Sequence, residues 1–188
     1  MIKAIATLAG VLLTLTACGG AESGRAAEGT VTRTIVQFRP DGSSEVKIDK
    51  ISQAQQQAEV VARKQLVQQK SAGSAIGTAT QAISADPDCV GADLWLFDDF
   101  NQTGSNEICF FGGGSATLAN YITAYCYGDM CFYETWTYHV RSYWAGVSPG
   151  SLWGYAGEFN GYEYFNAWQR VDSAGFYGQH STQVNLDF

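Results

Sequence analysis

Hydrophobic and polar positions change their period along this chain, and each change marks a new element. Residues 4–15 form one continuous apolar run behind Lys3. Residues 30–49 alternate: TVTRTIVQF is rich in Thr, Val and Ile, Pro40-Asp41-Gly42 makes a turn, and Val46 and Ile48 then alternate with Glu45, Lys47 and Asp49. That pattern predicts a β-hairpin. A helix is predicted from near Ser52, where Ser52 and Gln55 have capping-box spacing, to about Lys70. Its apolar side is narrow, consisting of Ala54, Ala58, Val61 and Leu66. A hairpin and helix with so few large apolar groups would barely be stable alone, so they are expected to dock on the rest of the chain or stay loosely ordered. After Cys89 short apolar runs are separated by Gly and Asn, predicting strands over 93–97, 107–111, 121–127, 131–138, 140–145, 151–155, 162–168 and 182–188. No long helical period intervenes, which points to an antiparallel sandwich or barrel. These runs are shorter than the roughly 9–11 residues of a membrane-spanning strand.

The first run ends in Leu15-Thr16-Ala17-Cys18, which resembles the bacterial lipoprotein signal. The resemblance implies that residues 1–17 are a signal peptide and that Cys18 receives a diacylglycerol after cleavage. The new amino terminus is then acylated too, giving a stable membrane anchor. Gly19 follows the cysteine rather than Asp, which implies the outer membrane where the bacterium has two. Residues 18–29 are small and polar and read as a tether. The remaining division is a hairpin–helix at 30–70, an Ala/Gly/Ser/Thr-rich linker at 71–88, and a β domain at 89–188.

Charge and aromatics separate the two halves. From Cys18 to Lys70 there are eight Lys/Arg and six Asp/Glu, a balance of +2; from Ser71 onward two arginines face twelve acids, a balance of −10. All but one of the aromatics also follow residue 71. An aromatic-rich domain with that much negative charge repels phosphate backbones, so nucleic acid is excluded as a partner.

With Cys18 lipidated, Cys89, Cys109, Cys126 and Cys131 remain, an even number in an exported chain. Three connectivities can be drawn. Cys89–Cys109 with Cys126–Cys131 is preferred, because Cys126 and Cys131 flank YGDM at a hairpin tip and antiparallel pairing of the first two strands brings Cys89 to Cys109. Zinc and redox readings fail on spacing, since no C-x-x-C pair is present.

The segment FDDFNQTG at 97–104, with ICFFGGGSATLANY and WTYHVRSYWAG after it, resembles the βγ-crystallin-like superfamily, including its bacterial secreted members and small peptidase inhibitors. The likeness covers roughly residues 89–155. It implies a Greek-key sandwich in which Phe97 is the first aromatic of the motif, Gly104 its glycine, Ser142 the serine of its fourth strand and Leu118 the leucine after the bend. Gln102 stands where an aromatic is usual. A second motif is only hinted at, by Tyr155, Phe159 and Gly161. Many members bind calcium through paired Asn/Asp residues, but those positions fall here at Thr137 and Tyr138. Asp98, Asp99 and Glu107 are the hard oxygen ligands for a different calcium site. No other cofactor is implied.

Catalytic signals are sparse. His139 and His180 are the two histidines, and neither G-x-S-x-G nor H-E-x-x-H occurs. His139 reads as a packing residue, and nothing fixes the separation of Glu134 and Glu158 as glycosidase-like carboxylates. Most of Trp95, Trp136, Trp144, Trp153 and Trp168 are expected in the core, and any left outside would suit sugars. The sequence therefore points to a mainly β, disulfide-stapled, lipid-anchored binding module rather than an enzyme. If the inhibitor resemblance holds, it presents a loop to a secreted protease, with Gly128, Asp129 and Met130 in one candidate loop and Ser148 and Pro149 in the other. The alternatives are a calcium-stiffened structural protein of the cell envelope and a glycan-binding module or hydrolase.

Overall fold

The computed structural model describes residues 29–71, 88–127 and 130–187. The signal, Cys18, the tether, most of the linker and the loop residues Gly128 and Asp129 lie outside the described residues. The chain opens with the hairpin, β1 (Thr30–Phe38) and β2 (Ser44–Ser52), joined through the Pro40-Asp41-Gly42 turn. Helix α1 (Gln53–Ser71) follows, and Ser52 caps it by accepting the Gln55 N–H at 3.1 Å. The Gln55 side chain reaches Glu59 instead of closing the box.

The β region contributes β3 (Leu94–Phe97), β4 (Asn106–Phe111), β5 (Gly114–Thr117), β6 (Ile122–Tyr127), β7 (Met130–Thr135), β8 (Ser142–Ala145), β9 (Gly150–Ala156), β10 (Phe159–Phe165), β11 (Arg170–Val171) and β12 (Ser181–Leu186). A short helix, α2 (Phe176–Gln179), precedes the last strand. Each of the eight strands expected after Cys89 is present, with ends shifted or trimmed by a few residues. Strands β5 and β11 are additions that the hydrophobic pattern does not announce.

These strands form two stacked sheets and a separate arm. The first sheet has the order β11-β8-β3-β4-β1-β2, the second β10-β9-β12-β5, and β6 pairs with β7 alone. Within the two large sheets, β3, β4, β5 and β8 make one four-strand run and β9 to β12 another. Each run keeps three strands in its own sheet and lends its third strand, β5 or β11, to the other. Gly112, at φ +79°, turns the chain out of β4 for that crossing; a Cβ there would also meet the Phe38 carbonyl oxygen at 3.2 Å. Between the sheets lies the main core, with Leu94, Leu96, Phe110 and Tyr143 from one side and Leu152, Phe165, Val184 and Leu186 from the other.

The hairpin is not an appendage. Strand β1 runs parallel to β4, with Thr34 opposite Ile108, so it extends the first sheet by two strands. Helix α1 then covers the outer face of that sheet, above Ile35, Trp95, Phe97, Cys109 and Trp144. This burial on both faces explains why LWLF is apolar throughout rather than alternating. The buried disulfide Cys89–Cys109 lies in the same layer.

The helix meets this layer with a polar face, not the alanine side expected from the sequence. Ala54, Ala58 and Val61 are exposed or outward, whereas Gln56, Glu59, Val60 and Arg63 are buried. The physical reason lies in what they meet. Arg33, on β1, donates from Nη2 to Glu59 at 2.6 Å and from Nε to Glu107, on β4, at 2.7 Å. Gln56 donates to the other Glu107 oxygen at 2.9 Å, so both oxygens are occupied. Glu59 also accepts the Cys89 N–H, and Arg63 donates to the carbonyls of Cys89, Val90 and Trp144. Burial works against the charge on Arg33, but hydrogen bonding and charge from Glu59 and Glu107 hold its guanidinium above the ordinary value. Burial pushes the Glu107 carboxyl up, against the pull of Arg33. Both oxygens of Glu107 have donors, so the carboxylate stays paired with Arg33.

Arg33→Met leaves two buried carboxylates without their shared cation. It is expected to lower the unfolding free energy in urea by about 3–5 kcal/mol. The double variant Arg33→Met/Glu107→Leu should recover much of that loss, since apolar replacement of a buried pair is tolerated better than its bisection. A double variant as unstable as the single one would show that the shared cation is not what the network needs.

Candidate functional site

The β3–β4 connection is a folded-over hairpin rather than a tight turn, and it sets up everything beside it. Asp99 accepts the Phe100 N–H, and Asn101 and Gln102 both take positive φ, 59° and 58°. Gly104 follows at φ +125°, where a Cβ would lie 1.8 Å from an Asp98 oxygen. Ser142, the first residue of β8, ties the fold down. Its Oγ accepts the Gln102 N–H at 2.9 Å and donates to the Asp99 carbonyl at 2.6 Å. The Gln102 side chain is buried and joins β11, donating to the Val171 carbonyl and accepting from Arg170 Nε. The Gln102 amide thus ties the folded hairpin to β11. Phe97 lies on the other face, against Trp95 at 4.8 Å, and Leu118 is in the main core.

Asp98 faces the opposite way and anchors the arm. It accepts the N–H and Nδ2–H of Asn106 at 3.0 and 2.6 Å, and Asn106 Oδ1 in turn accepts the Ala124 N–H of β6. Between the arm and the body is a cleft of about 350 Å³ lined by Asp98, Tyr125, Phe132, Glu134, His139 and Arg141. Within it His139 bridges two groups: Nδ1 lies 2.8 Å from the Tyr125 hydroxyl and Nε2 lies 2.8 Å from Glu134. Burial, reinforced by the negative charge of Asp98, raises the Tyr125 hydroxyl well above its ordinary value, so it stays protonated. Burial also raises the Asp98 carboxyl, opposed by its bonds from Asn106. The set can hold a polar group beside the chain of contacts from Glu134 through His139 to Tyr125. Tyr125 kept as a phenol is a hydrogen-bond donor, not a nucleophile.

His139 is therefore not the packing residue that its sequence context suggests. It lies in the loop between β7 and β8, and its two ring nitrogens bridge side chains of β6 and β7. The cleft is legible in the sequence only in part, because Tyr125 and His139 are fourteen residues apart and meet through the β6–β7 turn. The three acids singled out for calcium do not converge. Glu107 is committed to Arg33 and Gln56 on the helix side of the sheet, Asp98 to Asn106, and Asp99 to Phe100. Among the described residues only Cys89, Glu107 and Cys109 lie close enough together for a metal, and those two sulfurs are bonded to each other. Glu134 is on the arm, whereas Glu158 is in the β9–β10 turn.

The arm carries an uncommon surface. Met130, Phe132 and Tyr133 are 66, 53 and 72% exposed on β7, and Ile122 is exposed on β6. Cys131 is disulfide-bonded, and Cys126 is its direct partner in the ladder. Ser148 and Pro149, by contrast, occupy a short turn held to the body, with Ser148 donating to Asp93 and Pro149 accepting the Asp187 N–H. Trp95, Trp136 and Trp144 are buried, whereas Trp153 and Trp168 are half-buried. No helix among the described residues is long and apolar enough to cross a membrane. The chain matches no protein-family model, and comparison with curated proteins and with solved structures gives no match.

Ser142→Ala removes a group that serves a buried N–H and a carbonyl at once. It is expected to cost about 1–3 kcal/mol in chemical denaturation. Gly104→Ala should cost more, because it adds a clash with Asp98 to an unfavourable φ. Near-neutral behaviour of both would mean that the folded hairpin is not what holds β8 in place.

Proposed function

We propose that this protein is an exported, lipid-anchored, non-enzymatic binding module of the βγ-crystallin-like Greek-key class, whose β6–β7 arm engages a protein partner as a peptidase inhibitor does. The observation that carries the reading is the arm itself: a hairpin forming its own two-stranded sheet, apolar on its exposed surface, with Cys131 in a disulfide. Exposed Met and aromatic side chains are the groups that anchor protein interfaces. A staple restricts the arm before binding and so lowers the ordering cost of association. In this reading that staple is Cys126–Cys131.

The class assignment draws support from two features. The two four-strand runs exchange their third strands, and the first run has an aromatic, a folded hairpin, a glycine and a bridging serine at Phe97, Gly104 and Ser142. The second run departs from this. Its β9–β10 connection is a tight turn at Gly157, and Ser181, which opens β12 as Ser142 opens β8, has a buried Oγ with no partner among the described residues. This reading assigns no part to calcium, since Asp98, Asp99 and Glu107 do not come together as one ligand group among the described residues.

The lipid anchor predicts that the chain made with its own leader fractionates with membranes, and that Cys18→Ser releases it to the soluble fraction. Protein purified from those membranes in detergent is expected to inhibit at least one enzyme of a panel of secreted serine and metalloproteases. Phe132→Ala and Tyr133→Ala should each weaken that inhibition about tenfold or more, the second while leaving the melting temperature unchanged. Inhibition that survives both substitutions would move the contact away from the arm, and no inhibition across the panel would remove the inhibitor reading.

A further inference from the structure

The outer face of the second sheet is a second surface, built from strands other than those of the arm. Leu152, Phe165, Val184 and Leu186 point into the core, so strand alternation turns their neighbours outward. Tyr162 and Tyr164 are 49 and 73% exposed and their rings stack at 5.6 Å with an interplanar angle of 24°. Trp153 sits directly opposite Tyr162 in the ladder, and Tyr155 opposite Asn160, which places four aromatic residues at neighbouring outward positions of β9 and β10. Beyond them the ladder continues in amides and hydroxyls: Gln183 is opposite Trp153 on one side and Thr117 on the other. In the next row Ser115 donates to Asn185 Oδ1 at 2.7 Å, which fixes that amide.

The outward positions of all four strands carry no charged side chain. The twelve acids and two arginines of this segment occupy other positions. The face offers flat π surfaces next to neutral donors and acceptors, and it gives neither a polyanion nor a polycation anything to pair with. A pyranose ring has the complementary chemistry, with an apolar C–H face for the rings and hydroxyls at its edge for the amides. We infer that this face binds a neutral polysaccharide chain, its sugar rings lying on Trp153, Tyr162 and Tyr164 and its hydroxyls meeting Gln183 and Asn185. A β-1,4-linked chain, which runs as an extended ribbon, can lie along a row of rings on neighbouring strands; an α-1,4-linked chain coils away from it. This site stands independently of the arm, so a protein could hold a glycan and a protein partner together.

The test is a titration of the full chain with cellohexaose and with chitohexaose, read by tryptophan fluorescence and calorimetry, with maltohexaose as the α-linked comparison. Saturable binding of at least one β-linked oligomer, with Kd at or below about 1 mM, is expected. Tyr162→Ala/Tyr164→Ala and, separately, Trp153→Phe should weaken it, the double variant by about tenfold or more. Phe132→Ala on the arm should leave it unchanged, which separates this site from the protease reading. Absence of saturable binding by the folded chain, equal binding of maltohexaose, or binding undiminished in the tyrosine variant would each overturn the proposal. So would a dimer that dissociates in the tyrosine variant, because the face would then belong to a second copy of the chain.

Discussion

The architecture depends on one guanidinium. Arg33 stands between Glu59 of the helix and Glu107 of the central sheet, and all three side chains are buried. Taken alone, a buried ion pair is weak support for stability, because desolvation offsets most of the attraction. Its consequence in this fold is positional. Helix α1 brings only Val60 and part of Val67 as apolar contacts to the sheet, too little to fix a rotation or a register. The carboxylates, Gln56 and Arg63 supply that definition, since any other rotation of α1 would strand charges in a dry layer. Arg63 extends the same logic by capping three backbone carbonyls, and its guanidinium, like that of Arg170, lies over the Trp144 ring.

One consequence is a division of labour between the two sheets. The central strands of the first sheet are covered on both faces, by the second sheet and by the helix with its disulfide, and the edge strand β2 is the part left open. The two proposed contacts use other surfaces: the arm that leaves the first run between β5 and β8, and the open face of the second sheet. Each surface owes its position to rigid strands rather than to long loops, which favours a preformed contact over an induced one. The cleft at the root of the arm couples it to the body through Asp98, Asn106 and the His139 bridge.

Much of this is legible in the sequence, for definite reasons. Strand β12 alternates cleanly, and LWLF and ICFF are apolar runs bounded by turns, so their type can be read. Cys89 and Cys109 can be paired because they border two strands that have to be antiparallel neighbours. Strands β5 and β11 cannot be read, since GSAT and RV carry no apolar period; both exist because the opposite run offers them an edge to pair with. The parallel pairing of β1 with β4 leaves no local mark at all. The buried side of α1 does not follow from its apolar residues, because its partner is a layer of charges and carbonyls. The only available signal is Gln56, Glu59 and Arg63 at spacings of three and four, which an exposed helix also shows.

If Arg33 and its carboxylates unite the molecule, then hairpin, helix and β region unfold as one cooperative body rather than as a domain with a docked extension. Native-state hydrogen exchange tests this directly. The backbone amides of Val60 and Arg63 in α1 should open with the same free energy as those of Ile108 and Phe110 in β4. Exchange of α1 through a low-energy local opening, while β4 keeps its full protection, would make the helix an accessory and contradict the uniting role of the buried network.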